Sequence, residues 1–282
     1  MSTQVSEAFV KQFEADVHLA YQQSGSKLKN TVRYKNNVKG SSTVFQKVGK
    51  GSASGKARHG LVPVMSIDHS PVECELHDYY AGDWVDALDE LKLSIDERRV
   101  IANAGAYALG RKTDELIIEA LNKASSANDV GNYTSVLSKK DILDAFAKLN
   151  ENDVPDDGQR FGLVGPHQWN TLLNITEFSN SDYAGDNLPF LKGTESRKWL
   201  GINWIMHTGL PLGGSSKTER SCFIFHKTAI GHASGQDVKC DISWHGDHAA
   251  HFVNNMMSQG ACLIDDSGIV RIKCKEASSI TA

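Results

Sequence analysis

The sequence contains no hydrophobic run approaching the roughly 20 apolar residues that a membrane-spanning helix requires, which argues against an integral membrane protein. Its N-terminal segment also lacks a basic start followed by an apolar block, so no secretory signal is predicted. No C-x-x-C pair occurs among its five cysteines. We therefore expect reduced, mostly buried thiols in a cytosolic product. The five cysteines are Cys74, Cys222, Cys240, Cys262 and Cys274.

Motifs for nucleotide binding and nucleophilic catalysis are missing as well. The stretch "GKGSASGK" resembles a phosphate-binding loop, but the pattern G-x-x-x-x-G-K-[ST] would need glycine at position 50 and Ser or Thr at position 57. The chain has Lys50 and Ala57 there, and no helix follows to hold a phosphate at its N-terminus. There is also no G-x-S-x-G nucleophile elbow. The sequence therefore predicts a protein that is not an enzyme and has no cofactor.

One crowded stretch, "WHGDHAAH" at 244–251, raises the alternative of a zinc hydrolase. In a strand, His245 and His251 would lie about 20 Å apart at 3.3 Å per residue, too far to share one ion. In a helix, His248 and His251 could chelate a metal, but the preceding Gly246-Asp247 indicates a turn. No H-E-x-x-H motif and no adjacent general base support catalysis. We interpret the stretch as a surface turn, and a metal hydrolase stays a third alternative.

Charge is arranged in two consecutive blocks of opposite sign, although the net charge is only −4. From 17 to 67 there is no Asp or Glu, and nine basic residues fall between 27 and 58. From 68 to 97 there are ten carboxylates against Lys92 alone. Two solvated surfaces would explain this pattern. Nucleic-acid binding by the basic block and self-association between basic and acidic blocks of different copies are the other interpretations.

The first hundred residues predict a helix and then an extended excursion. Residues 6–23 carry an apolar stripe every four positions, which is typical of a helix. Two short β-type runs, Thr31–Tyr34 and Thr43–Val48, flank "NNVKGS" and predict a hairpin. The following "GKGSASGKARHG" predicts a flexible tip, and Pro71–Tyr79 alternates as a return strand. This excursion has too few apolar residues to fold alone and needs a surface to lie against.

The rest of the chain predicts an α+β protein. A capping box at Ser94–Glu97 opens a proline-free helix predicted over 94–124, about 45 Å long at 1.5 Å per residue. Gly105 and Gly110 weaken this helix, and we expect them to allow close approach of another backbone. A second capping box at Ser138–Asp141 precedes a helix that ends before Pro155. Short strands and helices then alternate to the C-terminus.

Four segments, in this order and spacing, make the chain resemble the major capsid proteins of tailed double-stranded-DNA bacteriophages over essentially its full length. The segments are "STQVSEAFVKQF" (2–13), "AYALGRKTDELIIEAL" (106–121), "NDVPDDGQRFGLVGPHQWNTLL" (152–173) and "FVNNMMSQGACLIDDSGIVRIKC" (252–274). The resemblance implies a structural protein that self-assembles into hexamers and pentamers of an icosahedral shell around the packaged genome.

The resemblance also implies the phage major capsid fold, in which "WHGDHAAH" would link two domains. The implied parts are an N-terminal arm (1–30), an extended β-hairpin loop (31–80), a peripheral domain (81–150 and 240–265) with a spine helix (94–124), and an axial domain (151–239 and 266–282). Because the chain begins directly with the arm helix, any scaffolding protein would be separate. Some family members form Lys–Asn cross-links from this loop; we expect none here.

For the contact between copies, we expect the basic loop of one subunit to cross the acidic 68–97 region of a neighbour. The predicted interface residues are Arg33, Lys35, Lys47, Lys50, Lys56, Arg58, Asp83, Asp86, Asp89 and Glu90. The implied partners are further copies of the chain, a portal, a possible scaffolding or decoration protein, and packaged DNA contacted non-specifically. The implied location is the virion capsid, assembled in the host cytoplasm. The alternative is a soluble DNA-binding module that uses the basic 25–67 segment.

Overall fold

The computed structural model describes residues 23, 25–90, 97–175, 178, 197–213 and 218–276, and it contains both helices and strands. The helices are α1 (Ala87–Glu90), α2 (Glu97–Asn122), α3 (Lys139–Glu151) and α4 (Pro166–Leu173). The strands are β1 (Arg33–Lys35), β2 (Ser42–Val48), β3 (His69–Glu75), β4 (His77–Asp86), β5 (Val130–Gly131), β6 (Arg160–Val164), β7 (Arg197–Trp199), β8 (Ile202–Met206), β9 (Leu212–Gly213), β10 (Glu219–His226), β11 (Ile230–His245), β12 (Ala250–Leu263) and β13 (Ile269–Lys275). The predicted α+β class is confirmed. Residues 6–22 of the helix predicted over 6–23, and Ser94 at the predicted cap, lie outside the described residues.

The chain divides into two compact units. Unit 1 contains 1–26, 78–112 and 237–257, and unit 2 contains 27–77, 113–236 and 258–282. The predicted arm, loop, peripheral and axial parts stay a prediction. Residues 113–150 and 258–265, which that prediction assigned to the peripheral domain, group with unit 2.

A seven-stranded sheet organises the core of unit 2. Its strand order is β5-β13-β10-β6-β8-β7, and β9 pairs with β10 beside this path. Central strand β10 is buried from Arg220 to His226 because elements cover both of its faces, which explains its continuous apolar run "CFIF". Helices α3 and α4 add Ile142, Leu149, Trp169 and Leu172 to the same core.

Helix α3 begins where the sequence predicts it. The Ser138 hydroxyl accepts a hydrogen bond from the Asp141 amide at 3.3 Å, and the Ser138 amide donates to the Asp141 carboxylate at 3.0 Å. The predicted capping box is therefore confirmed. The signal is local, since both partners lie within one helical turn.

The predicted hairpin between Thr31–Tyr34 and Thr43–Val48 is wrong. Strand β1 pairs in parallel with β11, with Arg33 opposite Gly231, and β2 pairs antiparallel with β3, with Ser42 opposite Glu75. The Val38 amide also donates to the Ser234 carbonyl at 3.0 Å, so the chain follows β11 instead of turning back on itself. Long-range pairing therefore overrides the local turn signal.

The return strand shows the alternation that its sequence predicts, with one interruption. Val72 and Cys74 point inward while Glu73 and Glu75 are exposed, as a half-buried strand requires. The run is not one strand, because it breaks at Leu76 between β3 and β4.

Within unit 1, the two glycines of α2 allow the close contacts expected of them. A Cβ at Gly110 would lie 2.6 Å from the Cα of Gly25, so only glycine permits this approach. A Cβ at Gly105 would meet the Asn255 side chain and would lie 3.1 Å from the backbone carbonyl oxygen of Ala81, to which the Asn255 amide donates at 3.3 Å. The expected close approach of another backbone is confirmed at both positions.

A bidentate ion pair in unit 2 holds the end of the described chain. The Arg220 guanidinium donates to both carboxylate oxygens of Glu276, at 2.9 and 2.7 Å, and the Gln168 amide donates to the same carboxylate at 2.9 Å. The hydrogen bond from Arg220 is the main cause that holds the pKa of Glu276 below its ordinary value. Paired geometry of this kind is stronger than a neutral hydrogen bond.

This pair predicts an acid-dependent stability. Because the pKa of Glu276 is lowered in the folded state, its stabilisation is complete above the ordinary value of 4.5 and is lost as pH falls through the folded-state pKa. We expect Glu276→Gln to lower the free energy of unfolding at pH 7 by about 1–3 kcal/mol, and this difference should shrink as pH falls below 4.5. Urea unfolding of the unassembled subunit across pH measures this. The control is Glu151→Gln, at an exposed position. The same dependence of unfolding free energy on pH in both variants would contradict a stabilising role for the Arg220–Glu276 pair.

Candidate intersubunit interface

The base of the extended loop packs on its own subunit. We call the paired strands β2 and β3 the hairpin base. Its inward side chains Phe45 and Cys74 are buried with Ala233 of β11 and Ile264, which follows β12. Gly260 of β12 comes so close to β3 that an added Cβ would overlap the Glu75 carbonyl. The hairpin base therefore supplies an attachment and leaves the rest of the loop to extend from it.

This attachment predicts a large effect for one methyl group. Gly260→Ala would push a Cβ into the Glu75 backbone, which cannot rotate away, so we expect a loss of about 1–3 kcal/mol in the free energy of unfolding. Gly55→Ala is the matched control, since a Cβ there meets nothing within 4 Å. Amide hydrogen exchange should show faster exchange of β2 and β3 in Gly260→Ala alone. Unchanged exchange in that variant would mean that the packing is not tight.

Four of the predicted basic residues have partners within the same chain. Arg33 donates to the Gln46 carbonyl at 3.4 Å, and Lys35 donates to the Thr43 hydroxyl at 2.6 Å. Lys47 pairs with Asp265 at 3.0 Å, and Lys50 pairs with Asp153 at 2.7 Å. The partners of this set are Gln46, Thr43, Asp265 and Asp153. The hydrogen bond from Lys50 lowers the pKa of Asp153. Arg33, Lys35 and Lys47 therefore link strand β2 to other parts of the same subunit, and Lys50 forms an exposed ion pair just beyond it.

The loop tip, which we define as residues 51–68, differs from the hairpin base. It has no helix or strand, and Lys56 and Arg58 are exposed there. Neither side chain has an ion-pair partner within the part of the chain that the structure describes. The tip also exposes four apolar side chains: Leu61 (96%), Val62 (73%), Val64 (89%) and Met65 (52%). A contiguous exposed apolar run of this kind marks an interaction surface.

The apolar run was not predicted from the sequence, because the prediction for this segment considered only its charged residues. The signal is present in the letters "LVPVM" at 61–65, an apolar cluster inside an otherwise polar loop. A polar excursion has no reason to carry such residues unless another surface covers them.

The acidic residues of the predicted interface lie in unit 1. Asp83 and Asp86 are exposed on β4, and each accepts a backbone hydrogen bond at 2.8 Å, from the amides of Trp84 and Leu88 respectively. Asp89 and Glu90 lie in α1, and their side chains are outside the described set. Both of these carboxylates therefore face solvent.

Beside them, unit 1 contains an open cavity of about 290 Å³. Its lining residues are Trp84, Asp86, Glu97, His248 and Ala250. An indole ring next to two carboxylates suits a cationic group, because the ring face and both anions attract positive charge.

The histidines of "WHGDHAAH" lie in and beside a hairpin turn within unit 1: His248 is in the turn, and His245 and His251 are on the flanking strands. Strand β11 ends at His245, β12 begins at Ala250, and both ends belong to this unit. The predicted surface turn is confirmed, and the turn joins two neighbouring strands of one sheet. The predicted link between the peripheral and axial domains stays a prediction.

These histidines contact aromatic rings. The ring centroids of His245 and His248 lie 5.1 and 4.6 Å from Trp84, and that of His251 lies 4.9 Å from Trp244. Across the described ranges, no three His, Cys, Asp or Glu side chains are grouped to hold a metal ion. The same ranges contain no helix of the length and hydropathy that spanning a membrane requires.

Comparison with solved structures places this fold among phage capsids. The capsid of Cyanophage P-SCSP1u is similar with a TM-score of 0.73 and 17% identity, over 98% of this chain and 96% of that one. A structure from Mycobacterium phage Che8 is similar with a TM-score of 0.72 and 18% identity, over 94% of this chain and 97% of that one. The capsid of Ralstonia phage GP4 is similar with a TM-score of 0.72 and 12% identity, over 100% of both chains. At these identities, the likeness establishes the phage capsid fold.

Sequence comparison identifies the family. No curated protein matches the chain. The family model described as phage capsid protein matches residues 5–276. Because this match spans nearly the whole chain, the protein belongs to the phage capsid protein family and is a structural, non-enzymatic component of the virion shell.

Proposed function

We propose that the loop tip of each subunit crosses onto the acidic face of a neighbouring copy, and that this contact, repeated around hexamers and pentamers, closes the shell. The single observation that carries the proposal is the exposed run Leu61–Met65 on a loop whose base is held by its own subunit. An isolated subunit leaves these side chains in water, and a second copy can cover them.

The apolar residues supply most of the free energy of this contact. Full burial of a Leu or Val side chain contributes about 1.5–3 kcal/mol, whereas an exposed ion pair contributes about 0–1 kcal/mol. Lys56 and Arg58 therefore orient the loop and speed its encounter with the acidic surface. Because every subunit both gives and receives a tip, modest contacts add up to a stable shell through avidity.

The acceptor on the neighbouring copy is the region of Asp83, Asp86, Asp89 and Glu90, with the cavity beside Trp84 as the place for a cation. Its two carboxylates and its ring complement the charge of Lys56 or Arg58. Arg33, Lys35, Lys47 and Lys50 support this contact indirectly, by fixing the hairpin base from which the tip extends.

The remaining partners follow from the role of a shell. A shell around a genome contacts double-stranded DNA without reading its sequence, and the DNA enters the shell through a portal. The shell is assembled in the host cytoplasm. A separate scaffolding or decoration protein would bind during or after assembly.

The experiment is size-exclusion chromatography of the purified protein followed by negative-stain electron microscopy. We expect megadalton, closed particles. Monomers or dimers whose affinity for DNA falls steeply with salt would instead support a DNA-binding module and overturn the shell proposal.

A further inference from the structure

Unit 2 contains two pairs of neighbouring thiols that differ in their surroundings. Cys222 and Cys274 lie on adjacent strands with their Sγ atoms 3.9 Å apart. Cys74 on β3 and Cys262 on β12 form the other pair, and their thiols hydrogen-bond to each other. The first pair lies inside the main sheet, whereas the second joins the hairpin base to the body of the subunit.

Backbone packing places Cys74 against β12. Cys74 is buried in the cluster of Phe45, Ala233 and Ile264, and Cys262 packs against the same cluster. Gly260, two residues earlier on the face that Cys262 shares, comes close enough that its Cβ would lie 3.5 Å from the Cys74 Sγ. Close approach of β3 and β12 therefore brings these two thiols together.

The two pairs differ in their access to solvent. Cys222, Cys274 and Cys74 are each 1% exposed, whereas Cys262 is only half-buried. The hydrogen bond within each pair raises the pKa of one member, Cys274 or Cys262, and the hydrogen bond from Cys262 lowers the pKa of Cys74. Because half-buried Cys262 opens its pair to solvent and the thiolate is the reactive form, a small oxidant can reach Cys74 beside it while the fully buried Cys222–Cys274 pair stays reduced.

We propose that Cys74 and Cys262 are an oxidation site, at which hydrogen peroxide converts the two thiols into a disulfide that tethers the hairpin base to β12 of the same chain. The Cys74 sulfur attacks one peroxide oxygen, the O–O bond breaks, and a sulfenic acid and one water form. The Cys262 sulfur then attacks the Cys74 sulfur, the S–S bond forms, and the S–O bond breaks as a second water leaves. Two thiols and one hydrogen peroxide therefore give one disulfide and two waters.

This bond would form after the protein leaves a reducing cytoplasm, where thiols persist. It fixes the attachment of the loop while leaving the loop tip free. Because it lies within one chain, it does not depend on contact between copies.

The test treats the wild-type protein with hydrogen peroxide, alkylates the remaining thiols under denaturing conditions, and maps linked peptides by mass spectrometry without reduction. We expect a peptide that joins Cys74 to Cys262, with Cys222 and Cys274 recovered as alkylated thiols. We also expect oxidation to raise the melting temperature by about 5–10 °C.

Two variants control the measurement. Cys222→Ala should keep the linked peptide and the temperature shift, whereas Cys262→Ala should lose both. Recovery of Cys74 and Cys262 as separate peptides after oxidation of the wild type, or linkage of Cys222 to Cys274 instead, would overturn the proposal. The wild-type mapping decides the matter even if a variant does not fold.

Discussion

Replacing Asp114 with alanine is expected to lower the free energy of unfolding of the unassembled subunit by about 3–5 kcal/mol, because it removes a buried charge on which three donors converge. The Asp114 carboxylate accepts from the amides of Lys27 and Leu28, both at 3.1 Å, and contacts the His207 Nε2 at 3.0 Å. The side chains of Asp114 and His207 are 1% and 5% exposed. Loss of the carboxylate leaves buried polar groups without partners.

The direction of the histidine hydrogen bond follows from its other nitrogen. The Gly209 amide donates to the Nδ1 of His207 at 3.0 Å, so that nitrogen is an acceptor and carries no proton. Nε2 therefore holds the ring hydrogen and donates it to Asp114. A carboxylate with these partners fixes the segment at Lys27 and Leu28 against the C-terminal part of α2, which belongs to unit 2 as this segment does.

Urea unfolding of the subunit measures this effect, with two further variants as references. Asp114→Asn keeps the size of the side chain but loses its charge and one acceptor, so the free energy of unfolding should fall by less than in Asp114→Ala. Asp144→Ala, an exposed aspartate on α3, should cost less than about 0.5 kcal/mol. A loss below 1 kcal/mol for Asp114→Ala would mean that water replaces the carboxylate.

The second large effect concerns assembly. Replacing Leu61 and Val64 with serine should abolish particles, because it removes the apolar surface that a neighbouring copy would cover. The subunit should stay folded, since both side chains are exposed and outside any helix or strand. Electron microscopy counts the particles, and circular dichroism with urea unfolding checks the fold.

Charge reversal at the same tip should act more weakly and depend on salt. We expect Lys56→Glu with Arg58→Glu to cut particle yield at least ~10-fold at low ionic strength, with a smaller difference at high salt, since exposed charges are screened there. Lys140→Glu, an exposed lysine on α3, is the matched control for charge. Normal particles from both the Leu61→Ser/Val64→Ser variant and the Lys56→Glu/Arg58→Glu variant would rule out the loop tip as the contact between copies.

Local signals predicted local structure well. The cap at Ser138 and the alternation around Cys74 depend on partners a few residues apart, so both could be predicted from the letters alone. The resemblance of four segments to phage capsid proteins supplied the fold class, which spacing alone left as α+β.

Contacts between distant residues could not be predicted in this way. The Lys47–Asp265 pair joins residues 218 positions apart, and the His207–Asp114 pair joins residues 93 apart. For the same reason, the pairing of β1 with β11 displaced the predicted hairpin, because no local pattern at Arg33 indicates Gly231. Charge blocks indicated a surface for self-association, but only the structure separated cations with a partner in their own chain from Lys56 and Arg58 at the tip.

A reconstruction of the assembled particle by electron cryomicroscopy tests the intersubunit contact most directly. We predict that residues 51–68 of each copy lie on a neighbouring copy, with Leu61 and Val64 covered and a tip cation near Trp84 and Asp86. Density for the same residues folded onto their own subunit, with nothing from a neighbour over them, would contradict the proposed contact.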